Sequence, residues 1–326
     1  MIRLTSRTQQ ARTIKEFEFV DLFAGIGGMR LGFESAGGRC ILTCEIDEDA
    51  LRTYTTNYQP EHKHTYVRDI ADIDRLPKHD VLVAGFPCQP YSIAGLRKGL
   101  KDARGQVFLE IVRLLKSAKP RAFLLENVKG MQSHDQGRTF EFMLSKLQSS
   151  GYFLRFETLN SSVHANIPQN RERVFIVGFL DEKKAEQFEF PQSVRLTKSI
   201  KSCLVRDVPD DRYFYDARFG CFREIEKVVK SQNTVYQWRR QYVRENKSNL
   251  CPALTANMGS GGHNVPLIRV GSRIRKLTPR ECANFQGFPA NFVLPRISDS
   301  ALYHQFGNSV TVPLIERIAK SMVSVL

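Results

Sequence analysis

The chain has 326 residues, of which 42% are hydrophobic, so it can bury one large core or a large core and a small one. Its 48 lysines and arginines against 34 aspartates and glutamates give a formal net charge of +14, which favours a polyanionic partner such as nucleic acid, although proteins that merely stay soluble can carry such a surplus. Neither an apolar run of membrane-spanning length nor the apolar core of a signal peptide occurs, so we expect a cytoplasmic protein without a membrane partner.

The first predicted strand ends in a glycine-rich turn. Residues 16–20 alternate and then become apolar, as in a strand, and residues 29–37 have helical spacing. Between them lies the sequence Asp21-Leu22-Phe23-Ala24-Gly25-Ile26-Gly27-Gly28. Such a turn lets the backbone approach a ligand closely and presents helix N-terminal amides to it. The glycine spacing does not match the G-x-G-x-x-G dinucleotide fingerprint, which argues against a nicotinamide dehydrogenase.

Acidic residues follow the next strands along the chain. Residues 40–44 predict a strand, and Glu45 comes directly after it, twenty residues after Gly25. This spacing suits an acid that accepts hydrogen bonds from ribose hydroxyls, although Glu45 could instead begin a solvated helix. Asp69 and Ile70 lie where a third strand could end, and an acid there can bond the exocyclic amine of a base.

A rigidly placed cysteine follows a predicted buried strand. Residues 81–84 run into Gly85-Phe86-Pro87-Cys88-Gln89-Pro90-Tyr91-Ser92, and the two prolines keep Cys88 out of a helix. A thiol just past a buried strand end suggests a nucleophile, and the alternative is a buried small hydrophobe. The seven cysteines form no C-x-x-C pair, so we expect neither a zinc site nor a disulfide framework.

The middle of the chain alternates between loops, helices and strands. Residues 93–105 form a basic segment with glycine hinges, which is typical of a loop that closes over a phosphate backbone, and a plain surface loop is the alternative. Residues 106–116 and 138–149 predict helices, and residues 152–159 predict a strand.

A carboxylate and two arginines are predicted near the same sheet edge. Glu126 follows the apolar run 122–125, and burial there should raise its pKa and favour a neutral, proton-donating carboxyl. Arg171 and Arg173 precede the strand 174–178. Since they are two apart on an extended stretch, both could face one ligand, and the alternative is a structural pair that bonds loop carbonyls.

The alternation of strands and helices fades after about Pro191. Residues 193–264 hold thirteen Lys and Arg against seven Asp and Glu, and they contain the only tryptophan, Trp238. Basic, aromatic and glycine-rich loops outside an α/β core are typical of a domain that reads nucleic acid. Further on, Thr278-Pro279-Arg280-Glu281 predicts a helix start, and residues 312–325 predict a closing helix.

Six stretches, in order, resemble the motifs of bacterial DNA (cytosine-5)-methyltransferases that use S-adenosylmethionine. They cover nearly the whole chain and leave only about residues 190–270 outside. They are Phe19-Val20-Asp21-Leu22-Phe23-Ala24-Gly25-Ile26-Gly27-Gly28, Gly85-Phe86-Pro87-Cys88-Gln89, Glu126-Asn127-Val128, Gln169-Asn170-Arg171-Glu172-Arg173, Arg275-Lys276-Leu277-Thr278-Pro279-Arg280-Glu281 and Gln305-Phe306-Gly307-Asn308-Ser309-Val310.

The resemblance implies an α/β fold of the S-adenosylmethionine-dependent methyltransferase class. Its core would be a Rossmann-like mixed sheet with helices on both faces, accompanied by a small, irregular, mainly β target-recognition domain. Residues 1–192 and 298–326 would form the catalytic, cofactor-binding domain, and residues 193–297 the recognition domain. Duplex DNA would lie in the cleft between them.

The resemblance and the loop chemistry together name the ligand-binding residues, and no metal is expected. Those for S-adenosylmethionine are Phe23, Gly25, Ile26, Gly27, Gly28, Glu45, Ile46, Asp69, Ile70, Pro87, Asn308, Ser309 and Val310. Those for DNA are Gln89, Ser92, Arg97, Lys98, Gln237, Arg239, Arg240, Thr255, Asn257, Gly259 and Gly261.

The catalytic residues implied by the resemblance are Cys88, Glu126, Arg171 and Arg173. Cys88 as thiolate would add to carbon 6 of a flipped-out cytosine, so that carbon 5 becomes the nucleophile that takes the methyl group. Glu126 would bond N3 and Arg173 would bond O2, with Arg171 supporting the site.

The resemblance further implies a monomer that forms the modification half of a type II restriction–modification system, commonly paired with a restriction endonuclease. An RNA (tRNA) cytosine-5 methyltransferase is the alternative, although the Cys-Phe-Thr signature of that branch does not occur here. A non-catalytic DNA-binding relative is disfavoured because Cys88, Glu126 and Arg173 are all present. The sequence does not reveal the target site.

Overall fold

The computed structural model describes residues 16–59, 64–87, 103–208, 210–239, 241–260 and 265–326. Seven strands form the central sheet. They are β1 (Phe17–Leu22), β2 (Gly38–Cys44), β3 (Thr65–Val67), β4 (Val81–Gly85), β5 (Ala122–Val128), β6 (Phe153–Asn160) and β7 (Glu172–Phe179). They lie in the order β3-β2-β1-β4-β5-β7-β6. The first five in this order are parallel, and β7 is antiparallel to both β5 and β6.

Helices cover both faces of this sheet, because its inner strands are apolar on both sides. In β4, Leu82 and Ala84 belong to the core cluster of one face, and Val81 and Val83 to that of the other. The helices are α1 (Gly28–Glu34), α2 (Glu48–Asn57), α3 (Ala103–Ala118), α4 (Arg138–Gln148), α5 (Ser161–His164), α6 (Glu182–Gln187), α7 (Phe222–Val228), α8 (Pro279–Phe285), α9 (Asp299–Asn308) and α10 (Val312–Val325). Apolar side chains of α3 and α4 fill the first cluster, and those of α1 and α10 fill the second. The predicted α/β fold with a mixed sheet is confirmed.

Strand β5 continues beyond the apolar run that predicted it. Its last residues, Glu126 to Val128, pair with Phe175 to Arg173 of β7, so Glu126 lies within the strand rather than after it. On its other side Glu126 pairs with Gly85, the last residue of β4. The antiparallel ladder to β7 supplies backbone partners, which lets a strand that is polar at its end stay regular.

A second, smaller sheet lies in the later part of the chain. Its strands are β8 (Phe214–Tyr215), β9 (Tyr236–Trp238), β10 (Val243–Glu245), β11 (Leu267–Val270) and β12 (Arg273–Lys276). They form an antiparallel sheet in the order β10-β9-β11-β12-β8. Ile225 and Val229, from α7 and just after it, pack with Trp238 and Ile274 in a small core of their own.

One hydrophobic cluster joins the later part of the chain to the turn after β1. It contains Ile26 and Tyr58 from the first part together with Leu254, Phe285 and Phe306. A short parallel ladder between Gln169–Asn170 and Cys251–Pro252 makes a second connection. No helix within the described residues is both long enough and apolar enough to cross a membrane.

Candidate active site at the carboxyl edge of the large sheet

The turn after β1 is built from left-handed backbone. Phe23, Gly25 and Gly27 have φ of 57°, 55° and 84°, which folds the chain back tightly before α1 begins. The amide of Ala24 donates to the carbonyl of Cys44 at 3.1 Å and ties the turn to the end of β2. The predicted glycine-rich turn therefore opens at the carboxyl ends of β1 and β2, where open α/β sheets bind ligands.

The Glu45 carboxylate lies beside this turn. It accepts hydrogen bonds from the amide of Gly25 at 2.7 Å and from the amide of Asp47 at 2.8 Å. Burial raises the pKa of Glu45, and these two backbone hydrogen bonds oppose that rise by favouring the ionised form. An ionised carboxylate only accepts hydrogen bonds and has further lone pairs free, so Glu45 can receive hydroxyl donors such as those of a ribose.

The other predicted cofactor residues surround the same edge. Ile46, next to Glu45, is 61% exposed, which leaves an apolar surface open beside the turn. Asp69 caps a short 3-10 helix by accepting the Ala71 amide at 2.9 Å, and Ile70 is buried below it. Pro87 is exposed after β4.

The segment after α9 approaches the turn from the other side. A Cβ atom added to Gly28 would lie 2.9 Å from Ser309 Oγ and 2.9 Å from Val310 Cγ2. Asn308 is bonded to His304, with Nδ2 and Nε2 2.9 Å apart. The carboxyl ends of β1, β2, β3 and β4 thus lie along one edge of the sheet, and Ser309 and Val310 approach the turn after β1; that these residues bind the cofactor stays a prediction.

The Tyr58 side chain packs against the glycine-rich turn. Substitutions at two of the glycines in this turn should therefore have unequal effects on stability. The Tyr58 hydroxyl donates to the Gly27 carbonyl at 2.8 Å, and a Cβ at Gly27 would lie 2.3 Å from the Tyr58 ring. We expect Gly27→Ala to lower the free energy of unfolding by roughly 2–5 kcal/mol, from positive φ and overpacking together. Gly25 has φ of 55°, but a Cβ added there would meet no described atom within 4 Å. Gly25→Ala should therefore lower the free energy of unfolding by only about 1 kcal/mol. Urea unfolding of both variants measures the difference, and equal costs would contradict it.

Asp21 is a carboxylic acid inside strand β1, below the turn. It is fully buried, and neither carboxylate oxygen has a hydrogen-bond partner among the described residues. Burial raises the pKa of Asp21 to about 8, although the nearby charge of Arg30 opposes the rise. Asp21 is therefore mostly protonated at neutral pH.

We expect Asp21 to make the stability of the protein pH-dependent. Between its ordinary pKa of 3.8 and its folded pKa of about 8, the folded state holds a proton that the unfolded state has released. The free energy of unfolding should therefore fall with rising pH by roughly 1.4 kcal/mol per unit across this window. Asp21→Asn should remove the part of this slope that Asp21 contributes, whereas Asn at the exposed Asp74 should keep it. Urea unfolding at several pH values tests this; an unchanged slope in Asp21→Asn would refute the assignment.

Glu126 forms an ion pair with Arg173 at the centre of the candidate site. The distance from Arg173 Nε to Glu126 Oε1 is 3.0 Å, and the Glu126 residue is 8% exposed. The two side chains lie diagonally on neighbouring strands and on the same sheet face, where long side chains meet. Burial raises the pKa of Glu126, and the charges of Arg173 and Arg171 oppose the rise. Cys88 lies three residues after Gly85, the backbone partner of Glu126, but outside the described residues.

Arg171 differs from the expectation that it and Arg173 face one ligand. Its guanidinium is buried and donates to the backbone carbonyls of Leu254, Gly307 and Ser309. The alternative of a structural arginine that bonds loop carbonyls therefore describes Arg171, while Arg173 points to a carboxylate. The residue between them, Glu172, begins β7 and pairs with Lys129 at 3.0 Å.

The predicted DNA-binding residues that the structure describes lie in two places. Gln237 and Arg239 belong to the β9–β10 hairpin, where the Gln237 side chain accepts a hydrogen bond from Arg244 at 2.9 Å and Arg239 is exposed. Thr255 and Asn257 are exposed and bonded to each other at 2.6 Å, and Gly259 follows half-buried. The remaining predicted residues lie outside the described residues: Gln89, Ser92, Arg97, Lys98, Arg240 and Gly261.

Sequence reasoning did not single out Asp21, Tyr58 or His304. Asp21 had a usable signal, because an acid within an otherwise apolar strand is unusual. Tyr58 and His304 act through contacts with distant backbone and carry no local signal. Within the described part of the chain, no group of three or more His, Cys, Asp or Glu side chains could hold a metal ion.

Comparison with known proteins gives a consistent picture. The family model for C-5 cytosine-specific DNA methylases matches residues 17–324. The type II methyltransferase M.Bsp6I of Bacillus sp. (strain RFL6) is 46% identical over 309 residues, covering 94% of this chain and 98% of its own length. The type II methyltransferase M.DsaV of Dactylococcopsis salina is 38% identical over 311 residues, covering 95% and 87%. The solved structure of the Entamoeba histolytica methyltransferase EhMeth superposes with a TM-score of 0.72 at 19% identity, covering 95% of this chain and 98% of that one.

Proposed function

The chain belongs to the C-5 cytosine-specific DNA methylase family and is a DNA cytosine-5 methyltransferase, and we propose that it methylates a flipped-out cytosine in duplex DNA through a covalent bond to Cys88. The names of its relatives support a role as the modification enzyme of a type II restriction–modification system. We propose that it acts as a monomer on the bacterial chromosome, in the cytoplasm, beside a cognate endonuclease with which it forms no stable complex.

The observation that carries this proposal is the Glu126–Arg173 pair. Glu126 is in register with Gly85, the last residue of β4, and Cys88 follows Gly85 by three residues in the sequence. Glu126 can serve as a proton donor and Arg173 as a cation at this sheet edge. A proton donor, a cation and a thiol are the groups that an attack on carbon 6 of a pyrimidine needs. The glycine turn and Glu45 lie at the same edge of the sheet.

The residues around the glycine turn fit S-adenosylmethionine. The space beside Gly25 is open among the described atoms, and the Glu45 carboxylate next to it can accept the ribose hydroxyls. The exposed Ile46 side chain offers an apolar surface to the adenine ring, and Asp69 an acceptor to its exocyclic amine. The bound cofactor supplies an electrophilic methyl group on a sulfonium.

Cys88 begins the proposed chemistry. A free thiol has a pKa of about 8.5, so a nearby cation such as Arg173 would help to ionise it. The thiolate adds to carbon 6 of the cytosine, and the electron pair of the 5,6 double bond moves to carbon 5, which becomes the nucleophile. Carbon 5 would receive the methyl group that the cofactor supplies, and the electrons of the carbon–sulfur bond would stay on the sulfur. A base then removes the proton from carbon 5. The electrons of the carbon–hydrogen bond reform the 5,6 double bond, and the bond from carbon 6 to sulfur breaks and releases the Cys88 thiolate.

Glu126 and Arg173 hold the base during this sequence. Glu126 donates a proton to N3, which offsets the negative charge that thiolate addition places on the ring. Arg173 donates to O2 while its Nε remains in contact with Glu126, so that this one contact positions both groups. The buried Arg171 supports this pair from its own bonds to neighbouring carbonyls.

We propose that residues 193–297 read the DNA. The target carbon is inaccessible in a stacked duplex, so the cytosine must leave the helix at a cost of a few kcal/mol. Gln237, Arg239, Arg240, Thr255, Asn257, Gly259 and Gly261 are the proposed contacts of this segment. Gln89, Ser92, Arg97 and Lys98 are the proposed contacts of the segment after Cys88, which would close over the flipped base.

Bisulfite sequencing of a bacterial host that expresses this chain tests the proposal. We expect 5-methylcytosine at one position of one short sequence, and none in a host that expresses Cys88→Ala. The purified protein should also transfer a labelled methyl group to duplex DNA and not to total tRNA. Transfer to tRNA alone would replace the DNA assignment by the RNA alternative.

A further inference from the structure

A buried arginine connects two backbone segments that the proposed function assigns to different ligands. We call residues 254–260 the recognition loop and residues 307–310 the cofactor turn. Arg171 is 2% exposed, and its Nη1 donates to the Leu254 carbonyl of the recognition loop at 2.7 Å. Its Nη2 donates to the carbonyls of Gly307 and Ser309 in the cofactor turn, the first at 3.1 Å.

Two further contacts join the same segments. Gly307 lies so close to the recognition loop that a Cβ there would be 2.1 Å from the Thr255 carbonyl oxygen. His304 Nδ1 lies 2.8 Å from the Ala256 carbonyl, and its Nε2 lies 2.9 Å from Asn308 Nδ2. The recognition loop and the cofactor turn are therefore joined through Arg171, through the close approach of Gly307 to Thr255 and through His304.

Each segment also contains residues that are assigned to one of the two proposed ligands. In the recognition loop, the side chains of Thr255 and Asn257 are exposed, and both are proposed DNA contacts. In the cofactor turn, Ser309 and Val310 lie against Gly28 of the glycine-rich turn. A ligand that fixes one segment thus changes the freedom of the other.

The charge of Arg171 is costly where it lies. Its Nε has no hydrogen-bond partner among the described residues, and burial and the positive charge of Arg173 outweigh the opposing charge of Glu126, so that the pKa of Arg171 is lowered. Packing alone would be served better by an apolar side chain, because a buried cation that hydrogen-bonds carbonyls and makes no direct ion pair is poorly compensated. A guanidinium is instead suited to bonding carbonyls of two segments at once, since its donors form a rigid fork.

We propose that Arg171 is a positioning residue through which the recognition loop and the cofactor turn bind duplex DNA and S-adenosylmethionine cooperatively. The inference rests on the proposed function, which supplies the two ligands. DNA on the recognition loop orders the cofactor turn through Arg171, and the cofactor orders the recognition loop by the same route. Linkage requires the two effects to be equal in size.

Calorimetric titration with S-adenosylhomocysteine, the stable reaction product, measures this coupling. The dissociation constant is determined with and without a saturating short duplex that carries the site found by bisulfite sequencing. We expect the duplex to tighten binding by roughly fivefold or more in the unsubstituted protein, within the usual range of such couplings. In Arg171→Lys, which keeps the charge but loses the fork, the ratio should fall close to one.

A matched control separates coupling from folding. Arg275 is equally buried and bonds Glu281 through both terminal nitrogens, at 2.6 and 2.7 Å, and its other described hydrogen bond is to the carbonyl of Lys276. Arg275→Lys should lower the melting temperature and leave the ratio unchanged. His304→Ala changes an exposed side chain, so it should fold normally and still lower the ratio.

Each result bears on a different claim. Equal ratios in the unsubstituted protein, Arg171→Lys and His304→Ala would overturn the role of Arg171, as would a ratio near one in the unsubstituted protein. A protein that binds neither S-adenosylhomocysteine nor the duplex would overturn the proposed function, and this inference with it.

Discussion

Replacing Cys88 with serine is expected to lower the rate of methyl transfer by roughly 10⁴-fold or more, the scale seen when an enzyme loses its nucleophile. A serine hydroxyl is essentially never ionised near neutral pH, whereas a thiol with a pKa of about 8.5 is partly ionised even without help. The change replaces one sulfur atom by oxygen and leaves every charged side chain that could bind DNA in place. Duplex binding should therefore persist while single-turnover methylation of the target duplex is lost.

A second readout identifies the bond that Cys88 forms. A duplex with 5-fluorocytosine at the target has no proton to lose from carbon 5, so elimination is blocked and the protein should stay attached through denaturing electrophoresis. Cys88→Ser should give no such complex. Cys221→Ser serves as the matched control, because this half-buried cysteine lies beside α7 in the later part of the chain, and it should behave like the unsubstituted protein. A trapped complex in Cys88→Ser would exclude Cys88 as the nucleophile.

The parts of the site that follow local patterns were predictable from sequence. The glycine turn and Glu45 each follow an apolar strand, Glu126 lies in the polar last part of one, and parallel strands bring their carboxyl ends to one edge. The α/β fold is confirmed, and it was predictable because inner strands such as β4 are continuous apolar runs. The small sheet was not predicted strand by strand, because its strands have two to four residues and show no periodicity.

Roles that depend on distant backbone were not predictable. Arg171 bonds carbonyls 83 and 138 residues away, and a carbonyl has no signature in the sequence. Its spacing from Arg173 correctly suggests that both belong to one region, but the rule that alternate residues share a face cannot name their partners. The end of β5 was misjudged for a related reason: backbone pairing with β7 keeps Glu126 in the strand, and pairing does not depend on apolar side chains.

The second large effect concerns Glu126. We expect Glu126→Gln to lower the single-turnover rate by roughly 10²- to 10⁴-fold, the usual contribution of a positioned general acid. Glutamine has the same shape, and its amide oxygen can still accept from Arg173 Nε, so the site should remain assembled. What it cannot do is transfer a proton to N3 as charge develops on the ring.

The pH profile separates this role from simple positioning. Burial raises the pKa of Glu126 above its ordinary value, so the protonated, active form persists to higher pH and is lost as pH rises through the raised pKa. Ionisation of Cys88 acts in the opposite direction, so the unsubstituted protein should show a bell-shaped profile. Glu126→Gln should keep the rising limb, which belongs to the thiol, and lose the falling limb.

Glu172 provides the matched control for this measurement. It neighbours Arg173 on the same strand, but its exposed carboxylate pairs with Lys129, and a screened surface pair has little influence on a buried group. Glu172→Gln should therefore preserve both limbs of the profile. If the falling limb survived in Glu126→Gln, the proton lost there would belong to another group, and Glu126 would act only by holding Arg173. If only Glu126→Gln lost the falling limb, the proton that activates the cytosine would be assigned to Glu126. This carboxyl is the one that lies on β5 between β4 and β7.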